Sequence, residues 1–77
     1  MIIDVRTEEE FNDGHADGAV NISVSDIATT KVPVDFEEKV EVYCASGARA
    51  MAAKEILEKR GFTNVDLYND GKFQGRE

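Results

Sequence analysis

Short runs of apolar residues alternate along this chain with polar and amphipathic segments. The runs are rich in valine and isoleucine and too short for helices, which is typical of strands in a parallel sheet. Four strands are predicted on this basis: Ile2, Ile3 and Val5; residues 19–22; residues 40–44; and Val65 with Leu67. Residues 69–77 are polar and contain glycine, so we expect them to be loop or frayed.

A capping box marks the start of the first predicted helix. Thr7 is followed three residues later by Glu10, which favours a short helix over residues 8–13 that stops at Gly14. Phe11 is the expected core anchor of this helix. Ser25 is expected to cap a brief turn farther along the chain, before a loop that runs through Pro33.

The second predicted helix begins at Arg49 and ends at Lys59-Arg60, just before Gly61. Its expected buried positions follow i, i+1, i+4, i+5 spacing: Ala52, Ala53, Ile56 and Leu57. Strands that alternate with helices predict a small open α/β sheet with a parallel core. At 77 residues the chain is expected to be one domain over residues 1–77.

Charge and composition exclude several classes of function. The formal net charge is −7, and no basic run exceeds Lys59-Arg60, which argues against nucleic-acid and anionic-membrane partners. No apolar stretch approaches the roughly 20 residues needed to span a bilayer. The single cysteine, Cys44, excludes an internal disulfide and gives no set of zinc ligands.

The sequence around Cys44 gives the strongest indication of a reactive site. It ends the third predicted strand and is followed by the small residues Ala45, Ser46, Gly47 and Ala48, and then by Arg49 at the start of a helix. Ligands of open α/β sheets bind beyond the carboxyl ends of strands, and a helix N-terminus stabilises an anion through its unpaired N–H groups. A cysteine in this position has its thiolate favoured, and the thiolate is the nucleophile.

The small residues of the loop support a reactive rather than a structural cysteine. They let the backbone curl so that several amides point at one site, and Gly47 permits a positive φ if the curl requires one. Arg49 adds a permanent positive charge. The alternative is a buried structural cysteine before an ordinary strand–helix turn, which is the commoner situation for a lone cysteine.

Four segments of the sequence together carry a family resemblance. They are Ile3-Asp4-Val5-Arg6; Glu10-Phe11 leading through Gly14-His15 to residues 18–22; residues 42–49; and residues 53–57 with Gly61-Phe62 and Val65. In this order they resemble a single-domain rhodanese, of the minimal kind found in small phage-shock sulfurtransferases. The resemblance implies a minimal rhodanese-like fold with helices on both faces of the sheet.

The resemblance implies a thiosulfate sulfurtransferase that works through a persulfide. Cys44 is then the nucleophile, and Ala45, Ser46, Gly47, Ala48 and Arg49 line a cradle for the substrate anion. The implied partners are a small anionic sulfur donor and a cyanide or thiol acceptor, and no metal or organic cofactor is needed. The chain is expected to be cytoplasmic as supplied, or periplasmic if a leader peptide has been removed.

Two other functions remain open at this point. The first is a non-catalytic rhodanese-like module that binds a partner or senses oxidation, although such modules often lack the cysteine. The second is a small phosphatase or arsenate reductase. Related enzymes of that kind carry one more residue between the cysteine and the arginine than the four found between Cys44 and Arg49.

Several polar or sulfur-bearing residues are interpreted as structural. His15, the only histidine, is expected to be part of a hydrogen-bonded scaffold. Asp4 is expected to pair with Arg6 or with backbone groups, so that it fixes the loops. Met51 is interpreted as core filling and Tyr43 as packing.

Overall fold

Four parallel strands form one sheet in the order β2-β1-β3-β4. The computed structural model describes residues 1–68, so the loop expected over residues 69–77 lies outside the described residues. The strands are β1 (Ile2–Asp4), β2 (Ala19–Asn21), β3 (Val40–Tyr43) and β4 (Val65–Leu67). The helices are α1 (Glu8–Asn12) and α2 (Ala48–Lys59). The predicted α/β class with a parallel core is therefore confirmed, and the element ends lie within one residue of those predicted.

The two faces of the sheet carry separate hydrophobic clusters. Because side chains alternate along a strand, Val40 and Val42 point to one face of β3 and Tyr43 to the other. The valines pack in the main core with Leu57 of α2. Tyr43 belongs to a smaller cluster on the opposite face, against which the ring of Phe11 from α1 packs. The two helices therefore cover opposite faces.

The first helix is held by its cap rather than by burial. Thr7 Oγ1 accepts the N–H of Glu10 at 3.2 Å, and Glu10 Oε1 accepts the N–H of Thr7 at 3.0 Å, which confirms the capping box. No residue of α1 is fully buried. Phe11 is only half-buried and stacks on His15, with 3.7 Å between the ring centroids. The prediction that Phe11 anchors this helix in the core is therefore only partly correct. A helix of five residues is too short to bring a complete face against the sheet.

The buried stripe of α2 differs in phase from the predicted one. The buried residues are Ala50, Ala53 and Leu57, which follow i, i+3, i+7 spacing. Ala52 is exposed and Met51 is 55% exposed, so the predictions that Ala52 is buried and that Met51 fills the core are both wrong. Around the helix axis, both residues are rotated by about a third of a turn or more from the centre of the buried stripe.

The long connection from β2 to β3 packs on the α2 side of the sheet. Its residues Ile27 and Val32 are buried in the main core. The turn begins at Ser23, whose carbonyl accepts the N–H of Asp26 at 2.9 Å, so the prediction that Ser25 caps this turn is wrong. Arg60, just after α2, donates to the carbonyl of Ile27 at 2.7 Å and fastens the connection to the end of that helix.

Candidate active site

Cys44 follows β3 directly and lies at the carboxyl edge of the sheet. Its side chain is fully buried at the base of the loop that leads into α2. The sulfur accepts two backbone hydrogen bonds, from the N–H of Gly47 at 3.0 Å and from the N–H of Ala50 at 3.3 Å. Both donors stabilise negative charge on this sulfur, because charge-assisted hydrogen bonds are stronger than neutral ones.

The sulfur also acts as the hydrogen-bond acceptor that caps the N-terminus of α2. Gly47 is the N-cap residue and has no side chain with which to cap the helix. A capping side chain normally accepts the N–H of the second or third helical residue, and Ala50 is the third. Cys44 Sγ takes this place from outside the helix. Gly47 has φ of +93°, so the positive φ considered for this position is present.

Arg49 makes a two-point ion pair with α1. Its Nη1 lies 2.8 Å from Glu10 Oε1, and its Nη2 lies 3.1 Å from Glu10 Oε2. Hydrogen bonds from Arg49 and from the N–H of Thr7 lower the pKa of Glu10 to about 2. Glu10 in turn raises the pKa of Arg49 above its ordinary value. Glu10 therefore joins the capping box of α1 to the first turn of α2.

A buried polar cluster supports the loops at the same edge of the sheet. Asp4 Oδ1 accepts the backbone N–H of Arg6 at 2.9 Å, and Asp4 Oδ2 lies 2.7 Å from Arg6 Nη2. The hydroxyl of Tyr43 donates to Asp4 Oδ2 at 2.9 Å and accepts the N–H of Ala16 at 3.0 Å. The predicted pairing of Asp4 with Arg6 is confirmed, and Tyr43 both packs and joins this polar cluster.

Two further residues complete this support. His15 Nδ1 lies 2.9 Å from the carbonyl oxygen of Phe11, in agreement with the predicted scaffold role of the histidine. Asn21, to which sequence reasoning assigned no role, donates to the carbonyls of Asp4 at 3.0 Å and Arg6 at 2.9 Å. Its position at the end of β2, beside β1 in the sheet, is the signal that could have identified it.

The predicted site residues lie together on one loop, but they differ in their exposure to solvent. Ala45, Ser46 and Ala48 are exposed, and Gly47 and Arg49 are half-buried. Sequence reasoning identified Glu10 only as a capping residue and missed its contact with Arg49. The two residues are separated by 39 positions, so no local spacing indicates the pair.

The ion pair predicts a pH-dependent contribution to stability. Because the folded pKa of Glu10 is about 2 and its ordinary value is 4.5, the contribution is complete above about pH 4.5 and is lost as the pH falls toward 2. The Glu10 side chain is 35% exposed, so screening by solvent limits the effect to less than about 1 kcal/mol. Glu10→Gln is therefore expected to be less stable than the wild type above pH 5, with the difference narrowing at lower pH.

Urea unfolding at a series of pH values measures this difference. Glu9→Gln is the matched control, because it removes a carboxylate from the same helical turn without removing a partner of Arg49. A wild-type advantage over Glu10→Gln that stays constant down to pH 2 would contradict the assignment.

Neither helix of the described part of the chain is long and apolar enough to cross a membrane. Within residues 1–68 there is also no group of three or more histidine, cysteine, aspartate or glutamate side chains that could hold a metal ion.

The chain is similar to a known protein family and to several known proteins. The model of the rhodanese-like domain family matches residues 1–75. The thiosulfate sulfurtransferase PspE of Escherichia coli is 40% identical over 67 residues, which cover 83% of this chain and 64% of that protein. The uncharacterized protein YqhL of Bacillus subtilis is 37% identical over 69 residues, which cover 90% of this chain and 53% of that protein. The chain thus spans between about half and two thirds of the length of these relatives.

A solved structure supports the same similarity. The structure described as rhodanese with anions from E. coli superposes with a TM-score of 0.80 at 38% sequence identity. The match covers 88% of this chain and 82% of that one.

Proposed function

The chain belongs to the rhodanese-like family, and from this premise we propose that it transfers sulfane sulfur through a persulfide on Cys44. The observation that carries the proposal is the sulfur's position at the carboxyl end of β3, where it accepts the N–H groups of Gly47 and Ala50. Such donors stabilise an anionic sulfur. The relative named thiosulfate sulfurtransferase PspE, at 40% identity, supports the same reaction class.

The first step loads sulfur onto the cysteine. The Cys44 thiolate attacks the outer sulfur of a donor such as thiosulfate and forms a new S–S bond to it. The S–S bond within the donor breaks, and sulfite leaves with the electron pair. The terminal sulfur of the resulting persulfide carries the negative charge that the thiolate held before.

The second step returns the thiolate. An acceptor, either cyanide or a thiolate, attacks the terminal sulfur, and the bond between the two sulfur atoms of the persulfide breaks. The product is thiocyanate or a new persulfide, and the Cys44 thiolate is restored with its electron pair. No metal, oxidant or organic cofactor enters either step.

The loop residues are assigned to holding the substrate anion. In this proposal the backbone N–H groups of Ala45, Ser46, Gly47 and Ala48 surround the donor anion, and that of Gly47 already bonds the sulfur. The small side chains of the loop leave room for the anion. Because Cys44 is fully buried, a donor reaches its sulfur only when this loop moves aside. Arg49 is assigned to positioning the loop, because its guanidinium forms an ion pair with Glu10.

Intact mass of the reduced protein before and after thiosulfate tests the proposal. We expect a gain of one sulfur atom that cyanide removes. The control is protein alkylated beforehand, because Cys44 is the only cysteine in the chain and alkylation therefore blocks a single position. The alkylated protein is expected to gain nothing.

A different result of the same experiment would contradict the proposal. No gain of sulfur by a folded protein whose Cys44 still reacts with an alkylating agent would contradict sulfur transfer. That result would favour the alternative function, a module that binds a partner or senses oxidation.

A further inference from the structure

The positively charged side chains around the cradle, defined as the loop of residues 45–49 above the Cys44 sulfur, are paired. Arg49 is neutralised by Glu10 through two contacts, and Arg6 is neutralised by the buried carboxylate of Asp4. Glu10 is ionised at neutral pH, far above its pKa of about 2. Ala45, Ser46 and Ala48, the exposed loop residues, carry no charge.

The remaining cations of residues 1–68 lie elsewhere. Lys39 precedes β3, and Lys59 and Arg60 lie at the end of α2, so all three are at the amino edge of the sheet, opposite Cys44. Lys54 pairs with Glu58 at 2.7 Å. Lys31 follows Thr30, whose carbonyl accepts a hydrogen bond from Arg60.

Two carboxylates without an ion-pair partner among residues 1–68 lie near the cradle. Glu8 and Glu9 are exposed in the same helical turn as Glu10, which contacts Arg49. The whole chain carries a formal charge of −7. A donor anion therefore approaches through a repulsive field, and within residues 1–68 the groups left to bind it are backbone amides. The repulsion grows with each charge on the donor.

We propose that this cradle prefers sulfur donors with a single negative charge over dianionic thiosulfate, because its positive side chains are already neutralised. The inference rests on the proposed function and specifies its donor class. Singly charged donors include organic thiosulfonates and persulfides of small neutral thiols. The positions that set this preference are Ala45 and Ala48, where the exposed loop carries no cation.

Methanethiosulfonate and thiosulfate make a suitable pair of probes. Both present a terminal sulfur bonded to an oxidised sulfur, but the first carries one negative charge and the second carries two. Attack by Cys44 forms the same persulfide in each case. Methanesulfinate leaves from the first donor and sulfite from the second, each with the electron pair of the broken S–S bond.

The sign of the salt dependence separates repulsion from attraction, whatever the intrinsic reactivity of each donor. We expect the rate of sulfur loading from thiosulfate to rise about twofold to threefold as potassium chloride is raised from low ionic strength to about 0.15 M. Loading from methanethiosulfonate is expected to rise less. Timed acid quenching followed by intact mass measures both rates in the same way.

A charge added to the loop should shift the preference. Ala48→Lys is expected to raise the thiosulfate rate relative to the methanethiosulfonate rate by about threefold to fivefold at low salt. Ala48→Gln adds similar bulk without charge and is expected not to shift this ratio. Ala28→Lys adds the same charge at an exposed position far from the cradle. Its neighbour Ile27 accepts a hydrogen bond from Arg60, which follows the C-terminal end of α2. This variant is expected to leave the ratio of the two rates near the wild-type value.

The outcomes distinguish the two levels of the proposal. A thiosulfate rate that falls with salt, or an equal response of the two donors, would overturn the charge preference while sulfur transfer stands. An equal shift in Ala48→Lys and Ala28→Lys would also overturn it, because the effect would then come from net charge and not from the cradle. No loading from either donor would overturn the proposed function and the preference with it.

Discussion

Cys44→Ser is expected to lower the rate of thiocyanate formation from thiosulfate and cyanide by about a thousandfold or more. A serine hydroxyl is un-ionised at neutral pH and forms no persulfide, so the covalent intermediate is lost. Removal of a nucleophile has effects of this size or larger in enzymes that use covalent catalysis. Steady-state assay of thiocyanate, with the wild type measured in parallel, checks the prediction.

The fold of this variant is expected to survive. Serine is smaller than cysteine, and its oxygen can accept the N–H groups of Gly47 and Ala50 that now bind the sulfur. The change in the free energy of unfolding is expected to be about 1 kcal/mol or less. Wild-type turnover in a folded Cys44→Ser protein would rule out the persulfide mechanism.

Asp4→Ala is expected to have the largest effect on stability, a loss of about 3–5 kcal/mol. Asp4 is fully buried, and it accepts hydrogen bonds from the side chain and backbone of Arg6 and from the hydroxyl of Tyr43. Removing the carboxylate leaves the guanidinium with only 11% of its side chain exposed and without its ionic partner. Urea unfolding of the variant and the wild type measures the loss.

An exposed ion pair of the same length supplies the comparison. Lys54 Nζ and Glu58 Oε2 are 2.7 Å apart, as are Arg6 Nη2 and Asp4 Oδ2. Because the Lys54–Glu58 pair lies at the surface of α2, Glu58→Ala is expected to cost far less stability than Asp4→Ala. Similar losses in the two variants would show that burial is not what makes Asp4 important.

The parts of the structure that could be predicted from the sequence have local causes. Alternation of side chains places Val40 and Val42 on one face of β3 and Tyr43 on the other. The capping box depends on two residues three positions apart, and both of its hydrogen bonds are present. The position of Cys44 follows from the simple rule that loops at the carboxyl edge of a parallel sheet form the site.

The parts that were missed depend on contacts between distant segments. Glu10 reaches Arg49 and Tyr43 reaches Asp4 across 39 residues in each case, and neither pair leaves a pattern in the sequence. The exposure of Met51 depends on the rotation of α2 about its axis. The contacts that fix this rotation come from the sheet and the long β2–β3 connection, so composition within the helix does not specify it.

The full burial of Cys44 has a consequence for the oxidised protein. A disulfide between two copies of the chain requires the two Cβ atoms to approach within about 4 Å of each other. A cysteine at the base of a loop, with no surface of its own, comes that close to its counterpart only if the loops of both copies move aside together. We therefore expect oxidising conditions to cross-link copies of the folded chain only slowly, although its single thiol is not used in an internal disulfide.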